Sequence, residues 1–192
     1  MKKLSGQIRI KTAVFISGAG SNLNNLIKFS LTKKSPIEIC LVISDNSKAK
    51  GLNFAKKFRI KRKIFKFHKN KEKSVINCLI KNKIEFICLA GFMKILSKNI
   101  INKFENRIIN IHPSLLPKYK GLNTHYRVIE NREKITGCTI HFVNFKLDSG
   151  EIILQKKVKV FKNDTPISLK KRVLKQEYIA YPLAIKKLFS NL

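Results

Sequence analysis

An asparagine, a histidine and an aspartate are the residues of this sequence whose types and spacing best suit acyl chemistry. Asn110 and His112 lie two positions apart in the segment Asn-Ile-His-Pro-Ser-Leu-Leu-Pro, residues 110–117. On an extended segment, side chains two positions apart project to the same face, and Pro113 disfavours a helix at His112. Asp148, in Leu-Asp-Ser-Gly, is a carboxylate that a distant loop can bring to orient the imidazole and support its charged form. Residue types alone also allow an ordinary polar strand end followed by an Asp-Ser-Gly turn.

A glycine-containing turn is the second feature with chemical potential. Residues 16–23 read Ile-Ser-Gly-Ala-Gly-Ser-Asn-Leu, after an apolar run and before a helical pattern. Glycines permit a tight turn and the close approach of a ligand, while a helix N-terminus offers free N–H groups to a phosphate. The motif has neither the Gly-Lys-Ser/Thr of a Walker A loop nor the third glycine of a dinucleotide fingerprint. It fits a phosphate on a smaller ligand; the alternative is a plain strand-to-helix turn with Ser21 as N-cap.

The length and composition indicate one globular domain covering residues 1–192, with a real core. The hydrophobic fraction is 44%, and no apolar run reaches the roughly 18 residues that span a membrane. The basic N-terminus has no apolar signal core, so we expect a cytoplasmic protein. The four cysteines form no C-x-x-C pair and lie in apolar segments, which predicts buried free thiols without zinc or disulfides: Cys40, Cys78, Cys88 and Cys138.

The charge balance is strongly basic. Lys and Arg number 41 against 11 Asp and Glu, for a formal net charge of +30, which favours polyanions. The lysines are spread along nearly the whole chain, and no nucleic-acid-binding motif stands out. Abundant Lys, Asn and Ile are typical of the composition drift of AT-rich genomes. We therefore predict no specific nucleic-acid partner, although the charge favours the steering of anionic substrates.

Strand and helix patterns alternate along the chain. They predict an α/β fold, a single domain with a mostly parallel twisted sheet flanked by helices and an antiparallel C-terminal extension. In such sheets, ligands bind beyond the carboxyl ends of the strands, where the strand order reverses. Predicted strands cover residues 12–17, 37–44, 63–67, 86–90, 108–111, 139–143 and 152–160. Predicted helices cover residues 21–31, 49–58, 71–82, 97–104, 125–131 and 168–188, the last with Ser168 as its cap.

Four segments in this order resemble one family. They are residues 16–23, residues 89–96 (Leu-Ala-Gly-Phe-Met-Lys-Ile-Leu), residues 110–125 (the histidine segment continued by Lys-Tyr-Lys-Gly-Leu-Asn-Thr-His), and residues 141–155 with His-Phe-Val, Leu-Asp-Ser-Gly and Ile-Leu-Gln. Together they resemble the phosphoribosylglycinamide formyltransferases, the folate-dependent glycinamide ribonucleotide transformylases of purine synthesis. The resemblance extends over residues 12–185.

This resemblance implies transfer of a formyl group from 10-formyltetrahydrofolate, the co-substrate, to the amine of glycinamide ribonucleotide. It requires no metal and implies small-molecule substrates, no membrane, and a monomer or homodimer. The implied catalytic residues are Asn110, His112 and Asp148. The implied binding residues are Gly20, Ser21 and Asn22 for the nucleotide phosphate, Glu177 for the glycinamide, and Lys71, Met93, Lys94, Ile95, Leu96 and Asn110 for the folate.

Some positions depart from the family pattern. Ala19 replaces a more usual polar residue, Asn123 stands where a histidine is common, and Lys71 takes the place of an arginine. The C-terminal tail is also short. None of these departures touches the catalytic trio that the resemblance implies.

In that chemistry, the amine attacks the formyl carbon and an oxyanion develops. Asn110 and a protonated His112 donate to it, and one such donor is worth about a hundredfold or more in rate. His112, or a water held by Asp148, relays the proton to the departing nitrogen.

Three alternative functions stay open on the sequence. A methionyl-tRNA formyltransferase has a similar core. We expect such an enzyme, however, to have a second domain that binds RNA, and a Gly-Ala-Ala-Pro type of motif where this sequence has residues 121–125. A formyltetrahydrofolate deformylase normally has an extra N-terminal domain. A non-enzymatic polyanion-binding protein leaves the four segments unexplained.

Overall fold

The computed structural model describes residues 9–67 and 72–190. Within these ranges the chain forms seven strands and six helices. The strands are β1 (Ile10–Ile16), β2 (Ile37–Ser44), β3 (Lys61–Ile64), β4 (Phe86–Leu89), β5 (Ile108–His112), β6 (Ile135–Phe142) and β7 (Ile152–Lys159). The helices are α1 (Ser21–Ser30), α2 (Leu52–Lys57), α3 (Glu72–Lys81), α4 (Lys98–Lys103), α5 (Thr124–Glu130) and α6 (Pro166–Leu188).

The strands form one sheet in the order β3-β2-β1-β4-β5-β6-β7. Strands β1 to β5 run parallel, while β6 pairs antiparallel with β5 and β7 antiparallel with β6. The predicted α/β class, with its antiparallel C-terminal extension, is confirmed. The strand order reverses between β1 and β4, so the carboxyl ends of these strands and of β5 mark the expected place of a ligand.

Helices cover both faces of the sheet. One core lies between the sheet and α1, α2, α5 and α6, with Leu23, Ala55, Val128 and Tyr181 among its buried side chains. The opposite core lies against α3 and α4, through side chains such as Leu79. Strand β4 is buried along its whole length, because a parallel strand in the middle of such a sheet has helices on both sides.

Two strands have different bounds from those predicted. Strand β3 lies at Lys61–Ile64 rather than at residues 63–67, because its four exposed residues pair with residues 41–44 of β2. Phe65 and Phe67, which suggested the later position, instead pack on the second core after the strand has ended. Strand β6 begins four residues earlier than predicted, because its pairing with β7 extends back to Ile135.

The long C-terminal helix begins earlier than the sequence suggested. Its N-cap is Thr165 rather than Ser168. The Thr165 hydroxyl accepts a hydrogen bond from the Ser168 backbone N–H at 3.2 Å, and the Ser168 hydroxyl oxygen accepts one from the Thr165 N–H at 3.0 Å. This reciprocal pair is a capping box. It allows Pro166 to occupy the first turn, where its missing N–H costs nothing.

The four cysteines are free. Only Cys88 and Cys138 are buried as predicted, whereas Cys40 and Cys78 are half-buried. Among the helices of the described ranges, none combines the length and apolar character needed to cross a membrane.

We predict that Thr165→Ala lowers the free energy of unfolding by about 1 kcal/mol, because an N-cap side chain is lost. Urea unfolding followed by circular dichroism measures the change. Thr165→Ser keeps the hydroxyl and is the matched control. Equal stability of the alanine variant and the wild-type protein would show that the capping box contributes nothing.

Candidate active site

The carboxyl ends of β1, β4 and β5 lie side by side in the sheet, and hydrogen bonds join the first two. The Ser17 N–H, just after β1, donates to the Gly91 carbonyl, just after β4, at 3.1 Å. The Ser17 hydroxyl then accepts from the Met93 N–H at 2.8 Å. Asn110 lies near the end of β5, the next strand along the sheet. The three segments that the sequence marked therefore line one edge of the sheet.

His112 and Asp148, 36 positions apart in the numbering, meet at this edge. The His112 Nδ1 atom lies 3.3 Å from Asp148 Oδ2, and His112 Nε2 lies 2.8 Å from the Tyr119 carbonyl oxygen. Nε2 is thus within hydrogen-bond distance of an acceptor, while Nδ1 lies within ion-pair distance of a carboxylate. His112 is only 5% exposed. The ring is thus held at both nitrogens, by a carboxylate and by a loop carbonyl.

The loop that carries Asp148 is constrained by backbone contacts. Asp148 Oδ2 accepts from the Gly121 N–H at 2.8 Å, and Asp148 has a positive φ of 45°, a conformation that aspartate tolerates better than most residues. A Cβ on Gly150 would lie 1.8 Å from the Phe142 carbonyl oxygen. Gly150 therefore allows the backbone approach that delivers the carboxylate to His112.

Asn110 lies directly opposite His141 on the neighbouring antiparallel strand. The Asn110 Nδ2 atom is 3.2 Å from His141 Nε2, and His141 Nδ1 is 2.8 Å from the Phe142 carbonyl oxygen. Burial lowers the pKa of His141. The sequence analysis gave His141 no role of its own. The two-residue periodicity of β6 could have indicated which face of the strand His141 lies on. Only the register with β5 shows that His141 lies opposite Asn110.

A second set of contacts holds the chain that follows His112. The Thr139 hydroxyl donates to the Ser114 carbonyl at 2.7 Å and accepts from the Leu116 N–H at 3.0 Å. The Gln155 side-chain amide donates to the Leu116 carbonyl and to the Thr139 hydroxyl, both at 2.9 Å. Side chains of β6 and β7 thus satisfy backbone groups of the segment that leads towards Tyr119. The position of the Tyr119 carbonyl therefore depends on the antiparallel strands.

The glycine turn after β1 is tightly packed. Gly20, not Ser21, is the N-cap of α1, with a φ of 73°. A Cβ on Gly20 would lie 2.4 Å from the Gly51 Cα atom. In the described part of the chain, no side chain forms a capping hydrogen bond at this N-terminus. The first-turn N–H groups of α1 consequently resemble those that bind anions at other helix N-termini.

A buried polar pair joins this turn to the last helix. The Asn22 Nδ2 group donates to Glu177 Oε2 at 2.6 Å, and both residues are buried. Burial raises the pKa of Glu177. The Asn22 Oδ1 atom has no hydrogen-bond partner within residues 9–67 and 72–190. The structure thus brings together Asn22, which was predicted to bind the phosphate, and Glu177, which was predicted to bind the glycinamide.

The segment after β4 presents an apolar surface. Met93 and Ile95 are 65% and 78% exposed, and Lys94 is exposed beside them, whereas Leu96 is buried in the second core. The neighbouring Phe92 packs edge-on against Phe15 and Phe67, with ring centroids 5.4 and 4.8 Å away. A firmly anchored segment therefore carries apolar side chains that a flat ligand could cover. The predicted folate contact Lys71 lies outside the described residues.

The described residues contain no group of three or more His, Cys, Asp or Glu side chains suited to a metal ion. What this edge offers instead is an amide donor, two imidazoles, a carboxylate and a helix N-terminus. These groups suit an addition to a carbonyl that develops negative charge, on a substrate with an anionic group.

Known proteins are similar to this chain in sequence and in fold. The formyl transferase family model matches residues 10–185. A phosphoribosylglycinamide formyltransferase of Haemophilus influenzae is 42% identical over 181 residues, which are 92% of this chain and 85% of the relative. The trifunctional purine biosynthetic protein adenosine-3 of Homo sapiens is 39% identical over 183 residues, which are 93% of this chain but 18% of the relative. A crystal structure of phosphoribosylglycinamide formyltransferase from Brucella melitensis superimposes with a TM-score of 0.89 at 41% identity, covering 95% of this chain and 96% of that one.

We predict that Gly20→Ala destabilises the protein, whereas Gly18→Ala does not. The left-handed conformation alone costs a residue with a Cβ about 1–2 kcal/mol, and the contact with Gly51 adds to this. A Cβ on Gly18 would meet no atom within 4 Å, which makes that variant the matched control. Thermal unfolding of both variants measures the difference, and equal melting temperatures would contradict the packing described for the turn.

Proposed function

This chain belongs to the formyl transferase family, and from that premise we propose that it transfers the formyl group of 10-formyltetrahydrofolate to the amine of 5-phosphoribosylglycinamide, a step of purine biosynthesis. One observation carries the proposal. Asn110, His112 and Asp148 lie at the same edge of the sheet as the N-terminus of α1, which is suited to bind a phosphate. The name and 85% coverage of the Haemophilus influenzae relative support the same acceptor.

Formyl transfer needs stabilisation of an oxyanion. The acceptor amine attacks the formyl carbon, and the carbonyl oxygen becomes negative in the tetrahedral intermediate. The Asn110 Nδ2 group has two hydrogens, and we assign one of them to His141 Nε2, which lies 3.2 Å from Nδ2. The other is the donor that we assign to the oxyanion. A preorganised donor of this kind contributes about a hundredfold or more to the rate.

His112 and Asp148 supply charge and proton transfer in this proposal. A doubly protonated His112 ring opposite the carboxylate places positive charge next to Asn110. Because His112 Nε2 lies against the Tyr119 carbonyl, direct donation from this nitrogen to the substrate requires that contact to be exchanged. A proton must also pass from the attacking amine to the departing folate nitrogen. Asp148, directly or through a water, is the group that we assign to this transfer.

The acceptor substrate brings a phosphate and an amine. We assign the phosphate to the backbone N–H groups of Gly20, Ser21 and Asn22, where the dipole of α1 favours negative charge. Glu177 is assigned to the glycinamide portion. The hydrogen bond between Asn22 and Glu177 supports this arrangement, since it places a residue assigned to the phosphate beside the residue assigned to the glycinamide. The unpartnered Asn22 Oδ1 is an acceptor for a substrate N–H or O–H group.

The formyl donor brings a flat pteridine ring. We assign it to the segment after β4, where Met93, Lys94 and Ile95 are exposed. Burying an apolar side chain such as Ile95 under a ligand contributes about 25 cal/mol per Å² of covered area. Leu96 is buried in the core and offers its backbone groups. A role for Lys71 remains a proposal from the resemblance, as does the choice between a monomer and a homodimer.

The decisive assay compares acceptors. Purified protein with 10-formyltetrahydrofolate is given glycinamide ribonucleotide, methionyl-tRNA or water, and the loss of formyl donor and the formylated product are measured. We expect product with glycinamide ribonucleotide alone. Formyl-methionyl-tRNA as the main product, or hydrolysis at the same rate without an acceptor, would contradict the assignment.

The high positive charge calls for a salt titration beside this assay. Binding of tRNA and duplex DNA should weaken steeply as salt rises, because phosphates attract any strongly cationic surface and release counterions. Tight, sequence-selective binding at near-physiological salt, with no formylation of glycinamide ribonucleotide, would favour the polyanion-binding alternative.

We predict that His112→Ala and Asp148→Asn each lower kcat by about a hundredfold or more, while the folded state is retained. Asp148→Asn keeps the size of the side chain, so its effect isolates the charge. Circular dichroism and thermal unfolding verify the fold of each variant before steady-state kinetics. Turnover close to wild type in either folded variant refutes the mechanism.

A further inference from the structure

His141 is the neighbour whose ring bears on the orientation of the Asn110 amide. Asn110 and His141 are direct cross-strand partners, and their Nδ2 and Nε2 atoms lie 3.2 Å apart. A primary amide has two chemically opposite ends, one donor and one acceptor, in nearly the same shape. Whichever end His141 takes, the other end or the remaining hydrogen is left for a ligand. The protonation pattern of His141 therefore decides how Asn110 is presented.

The second ring nitrogen settles that pattern. His141 Nδ1 lies 2.8 Å from the Phe142 carbonyl oxygen, and a carbonyl oxygen only accepts. The hydrogen of a neutral ring is therefore on Nδ1, which leaves a lone pair on Nε2. A lone pair accepts from the amide Nδ2 and repels the amide oxygen. The contact thus selects one of the two amide orientations of Asn110.

The surroundings of His141 favour the neutral ring. His141 is buried, and burial lowers its pKa. The nearest carboxylate oxygen, Asp148 Oδ1, lies 3.8 Å from Nε2, beyond hydrogen-bond distance. The other oxygen of that carboxylate is the one near His112. A proton on His141 Nε2 would turn the acceptor into a donor and would compete with His112 for Asp148.

We propose that His141, as the neutral tautomer with its hydrogen on Nδ1, is a positioning residue that locks the Asn110 amide with an Nδ2 hydrogen aimed at the reacting carbonyl oxygen. This inference rests on the proposed formyl transfer and adds a residue to its machinery. In this proposal, His141 acts on the substrate through Asn110.

A double-mutant cycle tests the dependence on Asn110. We expect His141→Leu, of similar bulk but without an acceptor, to lower kcat by roughly tenfold to a hundredfold, because the oxyanion donor is no longer aimed, with little change in KM. His141→Gln places an amide oxygen near the position of Nε2 and should restore most of kcat. In the Asn110→Ala background, His141→Leu should change kcat by less than about twofold. Additive losses in the two backgrounds would overturn the proposal.

A spectroscopic measurement on the wild-type protein tests the tautomer independently of turnover. Nitrogen-15 NMR of histidine-labelled wild-type protein at neutral pH distinguishes Nδ1–H, Nε2–H and doubly protonated rings. The resonance of His141, assigned by its loss in His141→Gln, should show a protonated Nδ1 and an unprotonated Nε2. A hydrogen on Nε2, alone or with Nδ1, would overturn the proposal.

The two measurements also separate this inference from the function that it extends. If the wild-type protein fails to formylate glycinamide ribonucleotide, the proposed function fails, while the NMR experiment still judges the tautomer. If the wild-type protein is active and the cycle is additive, only the role of His141 is lost.

Discussion

The antiparallel pairing of β5 with β6 is the constraint on which the rest of the site depends. It places Asn110 opposite His141, and His112 opposite Thr139, so each polar residue at the end of β5 has a polar partner. Asn110 gains an acceptor from His141. The Thr139 hydroxyl, in turn, holds the backbone after His112. The antiparallel strand β6 thus places polar side chains beside the polar end of β5.

Buried polar groups make this arrangement specific, because each one requires a partner. A buried donor or acceptor without one costs about 1–3 kcal/mol. His112 meets Asp148 and the Tyr119 carbonyl, and Asn22 meets Glu177. These contacts link β5, the loop after β6, α1 and α6. The Asn22 Oδ1 atom is one of five buried side-chain atoms in the described ranges that have no hydrogen-bond partner, and a bound substrate would give it one.

The features that could be predicted from the sequence are those that depend on local residue patterns. Apolar runs and helical periodicity predicted every element of the described ranges, and Asn110 and His112 were predicted to share a face from their spacing. Sequence reasoning went wrong at β3, where Phe65 and Phe67 pack on the core rather than extend the edge strand. It assigned no role to His141 or to the Tyr119 carbonyl. Those contacts depend on strand register and on a loop's path, which the order of residues does not disclose. The half-buried state of Cys40 and Cys78 was missed for the same reason.

We propose that one sheet edge holds the phosphate, the amine and the formyl group together. A crystal structure with glycinamide ribonucleotide and a non-reactive folate analogue tests it most directly. We predict the phosphate on the N–H groups of Gly20, Ser21 and Asn22, the amine near Glu177, and the formyl-equivalent atom within hydrogen-bond distance of Asn110 Nδ2. A phosphate bound elsewhere, or an analogue whose reactive atom lies away from Asn110 and Asp148, would contradict it.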